Sequence, residues 1–196
     1  MTDTVENIYS RLLAEAQLGL TPVADTANRV ASILNKNGLD YVVIGGYAVH
    51  MYGYHRYTVD VDFVVKDREY ARQILLMNGF KPNRGSSMTV TDTKNGVEVD
   101  LLNSGKKDSP SAIPYPDTNN ATEFSNSGNN VLKVVSLEEL IALKLGAYLS
   151  AGAIRHKDMG DVVGIIQSRN LSKTFMSGYN DKRIVDAYQK LWDDIH

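Results

Sequence analysis

Two short β-branched runs in this chain carry acidic residues at alternate positions, and that pattern limits what the chain can fold into. In Thr58-Val-Asp-Val-Asp-Phe-Val-Val, Asp60 and Asp62 share one face of a strand while Val59, Val61 and Phe63 take the other. In Gly96-Val-Glu-Val-Asp-Leu-Leu the arrangement recurs, with Glu98 and Asp100 on one face and Val97, Val99 and Leu101 opposite. Aspartate is disfavoured in strands and two carboxylates on one face repel, so an ordinary solvated outer face accounts poorly for the pattern. A cation, a hydrogen-bond donor or a raised pKa has to relieve the repulsion. If the two runs are sheet neighbours, three or four carboxylates converge on one spot.

The rest of the chain supplies elements to hold such a sheet. Ile8, Leu12, Leu13 and Ala16 recur at helical spacing before Gly19. A second helix follows, with Thr21 as its N-cap, Pro22 in its first turn and Gly38 at its end. Tyr41–Ile44 reads as a strand entering a tight Gly45-Gly46 turn, with a short helical stretch after it. Asp67 and Gly79 bracket the next helix. Lys94-Asn95-Gly96 between two alternating runs is a hairpin signal.

From Asn103 to Asn130 the chain is rich in Ser, Asn, Gly and Pro, predicting a long surface loop with a short strand near Ala121–Phe124 paired to Val131–Val135. Ser136 and Glu139 form a capping-box pattern that opens a helical C-terminal part. These elements predict an α/β (α+β) fold, a small mixed sheet with flanking helices. Residues 1–135 form the core with its N-terminal helices, and residues 136–196 a helical part packed on it.

Composition removes several function classes. The 196 residues suit one domain with a proper core, and a formal net charge of −2 provides no global basic field for nonspecific nucleic-acid binding. With no cysteine there is no disulfide, thiolate catalysis or Cys-ligated metal, and the four histidines form no H-E-x-x-H pattern. The N-terminus lacks the basic start and apolar core of a signal peptide, and no run of about eighteen apolar residues is present. The expectation is a soluble cytoplasmic protein that retains its N-terminus and does not engage a membrane.

A cluster of aspartate oxygens without His or Cys suits a hard cation, Mg²⁺ or Mn²⁺, rather than zinc or copper. Two such ions can activate an attacking oxygen and neutralise a leaving one in phosphoryl or nucleotidyl transfer. Gly45-Gly46 would cradle the polyphosphate, since glycines at a strand-to-helix turn let backbone N–H groups approach phosphate. The turn matches neither G-x-x-x-x-G-K-[ST] nor G-x-G-x-x-G, which excludes the P-loop and dinucleotide readings.

Gly45-Gly46, thirteen intervening residues, Asp60-Val-Asp62 between β-branched neighbours, and Asp100 in a later strand together resemble the pattern of the polymerase-beta-like nucleotidyltransferase superfamily. Arg56-Tyr-Thr58-Val-Asp60-Val-Asp62 also resembles the signature of bacterial nucleotidyltransferases of the abortive-infection toxin type. So does Lys144 in a helix followed by Lys157-Asp158 and Asp161, the similarity running over residues 40–168. The resemblance implies the nucleotidyltransferase core and a metal-dependent transfer of NMP from an NTP to an acceptor hydroxyl, with release of pyrophosphate. It implies that Gly45 and Gly46 contact nucleotide phosphates and that Asp60 and Asp62 bind the metals. Asp100 would ligate metal or draw the acceptor proton, Lys144 would meet a phosphate, and Asp158 or Asp161 would orient that lysine or contact nucleotide. It also implies a tRNA or protein acceptor and a partner antitoxin. Aminoglycoside-type antibiotic modification and a catalytically inactive nucleotide-binding module of the same fold are the alternatives.

Single residues carry competing readings. Arg56 is either a solvated loop residue or a cation serving the carboxylates and triphosphate, and Thr58 is either a strand residue or part of the nucleotide site. Lys144 has apolar neighbours, so its stem alone could cover the core. Asp158 and Asp161 share a helical face and could pair with Arg155 or Lys157. Tyr47, Tyr52, Tyr54 and Tyr57 could stack on a base or fill the core, and His50 and His55 are expected to pack or solvate.

Overall fold

The computed structural model describes residues 5–106, 113–125 and 131–196. The first two helices are α1 (Val5–Gln17) and α2 (Thr21–Lys36). The expected Thr21 cap is not formed: Leu20 occupies the N-cap position without a side-chain hydrogen bond, and Thr21 is already helical. Gly19, at φ +68°, turns the chain so that Leu20 is driven fully into the core, and this burial sets the helix start instead of a capping hydroxyl.

β1 (Tyr41–Ile44) is buried along its whole length and passes directly into α3 (Gly45–Met51), so the glycine pair begins the helix. β2 (Asp60–Val65) leads to α4 (Arg68–Met77), whose Asp67 cap accepts from the Tyr70 N–H at 3.0 Å. β3 (Phe80–Pro82), β4 (Thr89–Asp92) and β5 (Glu98–Asn103) follow, the last two joined through Gly96 at φ +80°. β3 is too short to have shown in the sequence pattern. β6 (Ala121–Ser125) and β7 (Val131–Val135) pair as expected, while much of the loop expected between Asn103 and Asn130 lies outside the described residues.

The seven strands make one mixed sheet in the order β3-β4-β5-β2-β1-β7-β6, as the α/β expectation required. β2 pairs in parallel with β5 and antiparallel with β1, and β1 pairs in parallel with β7. α5 (Leu137–Ala151) opens at Ser136, whose hydroxyl accepts from the Glu139 N–H at 3.4 Å. It is buried from Leu140 through Ala147, a stretch apolar apart from Lys144 and covered all round. After a 3₁₀ turn (Gly152–Arg155), α6 (His156–Arg169) and α7 (Lys182–Ile195) close the chain. One hydrophobic cluster runs from Val23 and Val30 through Val43, Phe63 and Leu101 to Ile141, Ile165 and Tyr188. Among the described residues no helix is long and apolar enough to cross a membrane.

Candidate active site

The parallel register of β2 and β5 brings the two acidic pairs together. Asp60 lies opposite Glu98 and Asp62 opposite Asp100, so the carboxylates expected to converge from separate runs do so. Glu98 is drawn aside by the Asn83 amide, which donates to it at 2.7 Å. Thr58 Oγ1 donates to Asp60 at 2.8 Å and Thr89 Oγ1 donates to Asp100 at 2.5 Å. Each flanking aspartate therefore has one oxygen engaged by a threonine and another left for a ligand.

Asp62 between them has no such hydroxyl. Burial first, then the charges of Asp60 and Asp100, push its carboxyl up to about 7 against an ordinary 3.8, with Lys144 and Arg56 pulling the other way. Asp100 is also raised, by burial and then by Asp60 and Glu98, against the Thr89 hydrogen bond.

The glycine turn meets this cluster directly. Gly45 holds φ +71°, the left-handed region, and a Cβ there would run into the Asp62 carboxylate. A Cβ on Gly46 would lie 2.6 Å from Thr58 Oγ1 and 3.1 Å from an Arg56 nitrogen. A side chain at Gly45 would be strained by its backbone as well as displacing Asp62, and one at Gly46 would have to displace Thr58 and Arg56, which is the physical content of the Gly-Gly pair.

A cleft of about 370 Å³ opens here, lined by Gly45, Gly46, Arg56, Thr58, Asp60 and Asp62 on one side and by Leu143, Lys144, Arg155, Lys157 and Asp158 on the other. Asp100 stands one strand away from Asp62. Lys144 is carried into the site by the buried face of α5, and Asp158 and Asp161 each lie 2.8 Å from its Nζ. Asp161 also receives Arg56 in a two-pronged pair, Nε at 2.5 Å and Nη2 at 2.8 Å. Burial works to raise Asp161, but Arg56 and Lys144 outweigh it and hold the carboxyl below its ordinary range. Arg155 reaches Asp158 at 3.4 Å. Three cations and two carboxylates thus form one network, of which helical spacing had suggested the Arg155 part, with Lys157 as its alternative, and the resemblance the Lys144 part.

The tyrosines divide. Tyr47 and Tyr52 are core residues, their hydroxyls donating to Glu15 at 3.0 Å and to the Val135 carbonyl at 2.6 Å, so neither can stack on a base. Tyr54 packs on Gly164 of α6, where a Cβ would enter its ring. Tyr57 remains 61 % exposed. Two positioning residues escaped the sequence reading. Thr89 carried no signal beyond its place opposite Asp100 across a hairpin, and Gly164 looked like an ordinary helix glycine.

The donor set is all oxygen, and the like charges lifting Asp62 mark a place where a divalent cation is electrostatically favoured. Among the described residues no three His, Asp or Glu side chains are placed so that together they could hold a metal ion. That agrees with Thr58 and Thr89 holding the outer carboxylates. The chemistry of these oxygen donors suits a hard divalent cation, while their arrangement does not form a ready site for one.

Solved structures of similar fold include an antigenic nucleotidyltransferase-like protein from Paracoccidioides brasiliensis, 19 % identical, with a TM-score of 0.59 over 87 % of each chain. The fold is also similar to that of ANT(2'')-Ia in complex with adenylyl-2''-tobramycin, 10 % identical, with a TM-score of 0.56 over 90 % of this chain and all of that one. A solution structure of the antibiotic-resistance factor ANT(2'')-Ia, 12 % identical over 85 % of this chain and 88 % of that one, has a TM-score of 0.53. No curated protein matches the sequence. Residues 24–173, which include the glycine turn, the three aspartates, Lys144 and the α6 carboxylates, match the family described as nucleotidyl transferase of unknown function (DUF2204), and the chain belongs to that family.

Proposed function

We propose that the chain transfers a nucleoside monophosphate from an NTP to an acceptor hydroxyl and releases pyrophosphate. The observation that carries this is the Gly45-Gly46 turn meeting Asp60 and Asp62 in one cleft, with Asp100 paired beside Asp62 on the next strand. The triphosphate would lie along Gly45 and Gly46, with Lys144, Arg56, Arg155 and Lys157 offering positive charge to it. Asp158 and Asp161 orient Lys144, and Asp161 orients Arg56, so these long side chains are ordered before the nucleotide arrives. Thr58 fixes the rotamer of Asp60.

The acceptor oxygen attacks the α-phosphorus, and the bond from that phosphorus to the oxygen bridging to the β-phosphate breaks. Asp100, raised by its burial and its acidic neighbours, takes the acceptor proton, while pyrophosphate leaves with the electron pair of the broken bond. Mg²⁺ or Mn²⁺, held by Asp60, Asp62 and Asp100, would supply Lewis-acid neutralisation of the phosphate oxygens.

The acceptor we propose is macromolecular, a tRNA or a protein, with the enzyme acting in the cytoplasm as a toxin restrained by a partner antitoxin. Supporting a large acceptor, Ile154 at the wall of the cleft is an apolar side chain left 89 % exposed to solvent. The test is incubation with each α-labelled NTP and Mg²⁺ against RNA, protein and small-molecule acceptors. Transfer of label to one acceptor, lost in Asp60→Ala, is the expected result. No labelling of any acceptor with any NTP would count against transfer, and labelling of aminoglycosides alone would count against the macromolecular acceptor.

A further inference from the structure

Residues 52–59 join α3 to β2 without helix or strand, and they deliver Arg56 and Thr58 to the cleft. Side chains tether this segment at intervals. The Tyr52 hydroxyl donates to the Val135 carbonyl, Tyr54 packs on Gly164, and Arg56 pairs with Asp161. His55 adds another tether, its Nδ1 lying 3.1 Å from Nδ1 of His50 on α3. His50 is fully buried, its ring stacked on Tyr47 at 5.8 Å between centres and its Nε2 3.5 Å from the Glu15 carboxylate of α1, so it offers His55 a fixed partner. His55 itself is half-buried and lines a cavity of about 200 Å³ that shares no residue with the nucleotide cleft, which gives solvent protons a route to the pair.

Two facing ring nitrogens make a hydrogen bond only while they hold one proton between them, whichever ring carries it. With both imidazoles protonated, N–H meets N–H and the contact opens. Of these tethers it is the one that changes charge near neutrality. Burial raises the Tyr52 hydroxyl to about 12, and Asp161, despite its burial, is held below its ordinary range by Arg56 and Lys144.

We infer that His50 and His55 are positioning residues for the nucleotide site: the hydrogen bond between their Nδ1 atoms pins residues 52–59 so that Arg56 and Thr58 reach the cleft, and protonation of both rings releases them. The consequence for nucleotide rests on the transfer reading above, whereas the coupling of His55 to Arg56 does not. The charged and titratable groups around His55 are Arg11 and Glu15 of α1, His50 of α3 and Arg169 of α6. Burial, then His50 and Arg11, lower His55 from its ordinary value against the pull of Glu15. The released form therefore fills only in acid, below the ordinary histidine range, and the pinned form holds at neutral pH and above.

The experiment is an acid titration of the ¹⁵N-labelled full chain by NMR, followed at the His55 ring, assigned with His55→Asn, and at the Arg56 Nε–H, assigned with Arg56→Lys. The Arg56 signal, set apart from solvated arginines by its 2.5 Å bond to Asp161, should move to the solvated position with the midpoint of the His55 ring, while Asp161 is still ionised. Asparagine places an amide group where His55 has Nδ1, donates or accepts as His50 requires, and does not titrate. In His55→Asn the Arg56 signal should therefore hold through the same range, and in His55→Leu it should already be displaced near pH 8. Binding of each ribonucleoside triphosphate with Mg²⁺ near pH 8 is the second measurement: His55→Leu should weaken it about tenfold, and His55→Asn should recover most of that loss. An Arg56 signal that stays in place while wild-type His55 titrates, or that moves equally in His55→Asn, overturns the inference, as does triphosphate binding left intact by His55→Leu. A wild type that binds no triphosphate while its Arg56 signal follows His55 counts against nucleotide transfer and supports the pinning.

Discussion

Replacing Asp62 by asparagine should make the protein more stable while removing its activity. The fold holds the Asp62 carboxyl at about 7, against 3.8 when unperturbed. Below about pH 4 both the folded and the open chain keep the proton, and the residue is neutral in the balance. Between about 4 and 7 the open chain releases the proton and the fold does not, so folding loses about 1.4 kcal/mol per pH unit. Above 7 the whole difference applies, an upper bound of about 4 kcal/mol. The side chain borders the cleft, and water there screens part of the repulsion, so we expect about 2–4 kcal/mol.

Asp62→Asn removes that cost. For a chain of this length the midpoint of thermal unfolding should rise by about 5–15 °C near pH 8. The gain should shrink steadily below pH 7 and vanish near pH 4. Differential scanning calorimetry across that range reads it directly, and Mg²⁺ should raise the midpoint of the wild type near pH 8 more than that of the variant. Were the variant no more stable than the wild type near pH 8, or equally favoured near pH 4, the account of Asp62 as a carboxylate strained by its neighbours would be wrong.

Gly45→Ala combines a left-handed φ with a Cβ driven into the Asp62 carboxylate. It should cost about 1–2 kcal/mol in denaturant unfolding from the backbone alone and lower nucleotidyl transfer roughly 100-fold by displacing Asp62. Asp161→Asn leaves the buried Lys144 with Asp158 and takes from the half-buried Arg56 the carboxylate it pairs with, and unfolding in urea should show a loss of about 3–5 kcal/mol. Gly164→Ala should cost about 1–3 kcal/mol through contact with Tyr54, and the pair Gly164→Ala with Tyr54→Ala should cost less than the two single changes summed, as a double-mutant cycle would record.

What could be read from the sequence was whatever local spacing encodes. Alternation placed Asp60 with Asp62 and Glu98 with Asp100 on strand faces, and the structure set those faces side by side. The Asp67 cap, the Gly96 hairpin and the Ser136 helix start were equally legible because each is settled within a few residues. The misses share a different cause. Thr21 lost its capping role because the burial of Leu20 decides the helix start, and Tyr47 and Tyr52 became core because Glu15 and the Val135 carbonyl receive their hydroxyls from distant elements. The family resemblance set Asp158 or Asp161 beside Lys144, and both lie at its Nζ, but neither spacing nor resemblance signalled the meeting of Arg56 with Asp161, which depends on how α6 packs beside the glycine turn. No spacing rule reaches across that distance.

The parallel pairing of β2 with β5 has a consequence for how the molecule comes into being. Parallel neighbours cannot be joined by a tight turn, so α4, β3 and β4 must all be made before Asp100 can arrive beside Asp62. Lys144 and Asp161 come later still. On a ribosome the chain would emerge with its glycine turn and first two aspartates long before their partners exist. The network that joins Arg56 and Lys144 is therefore completed only when α6 packs with its two carboxylates.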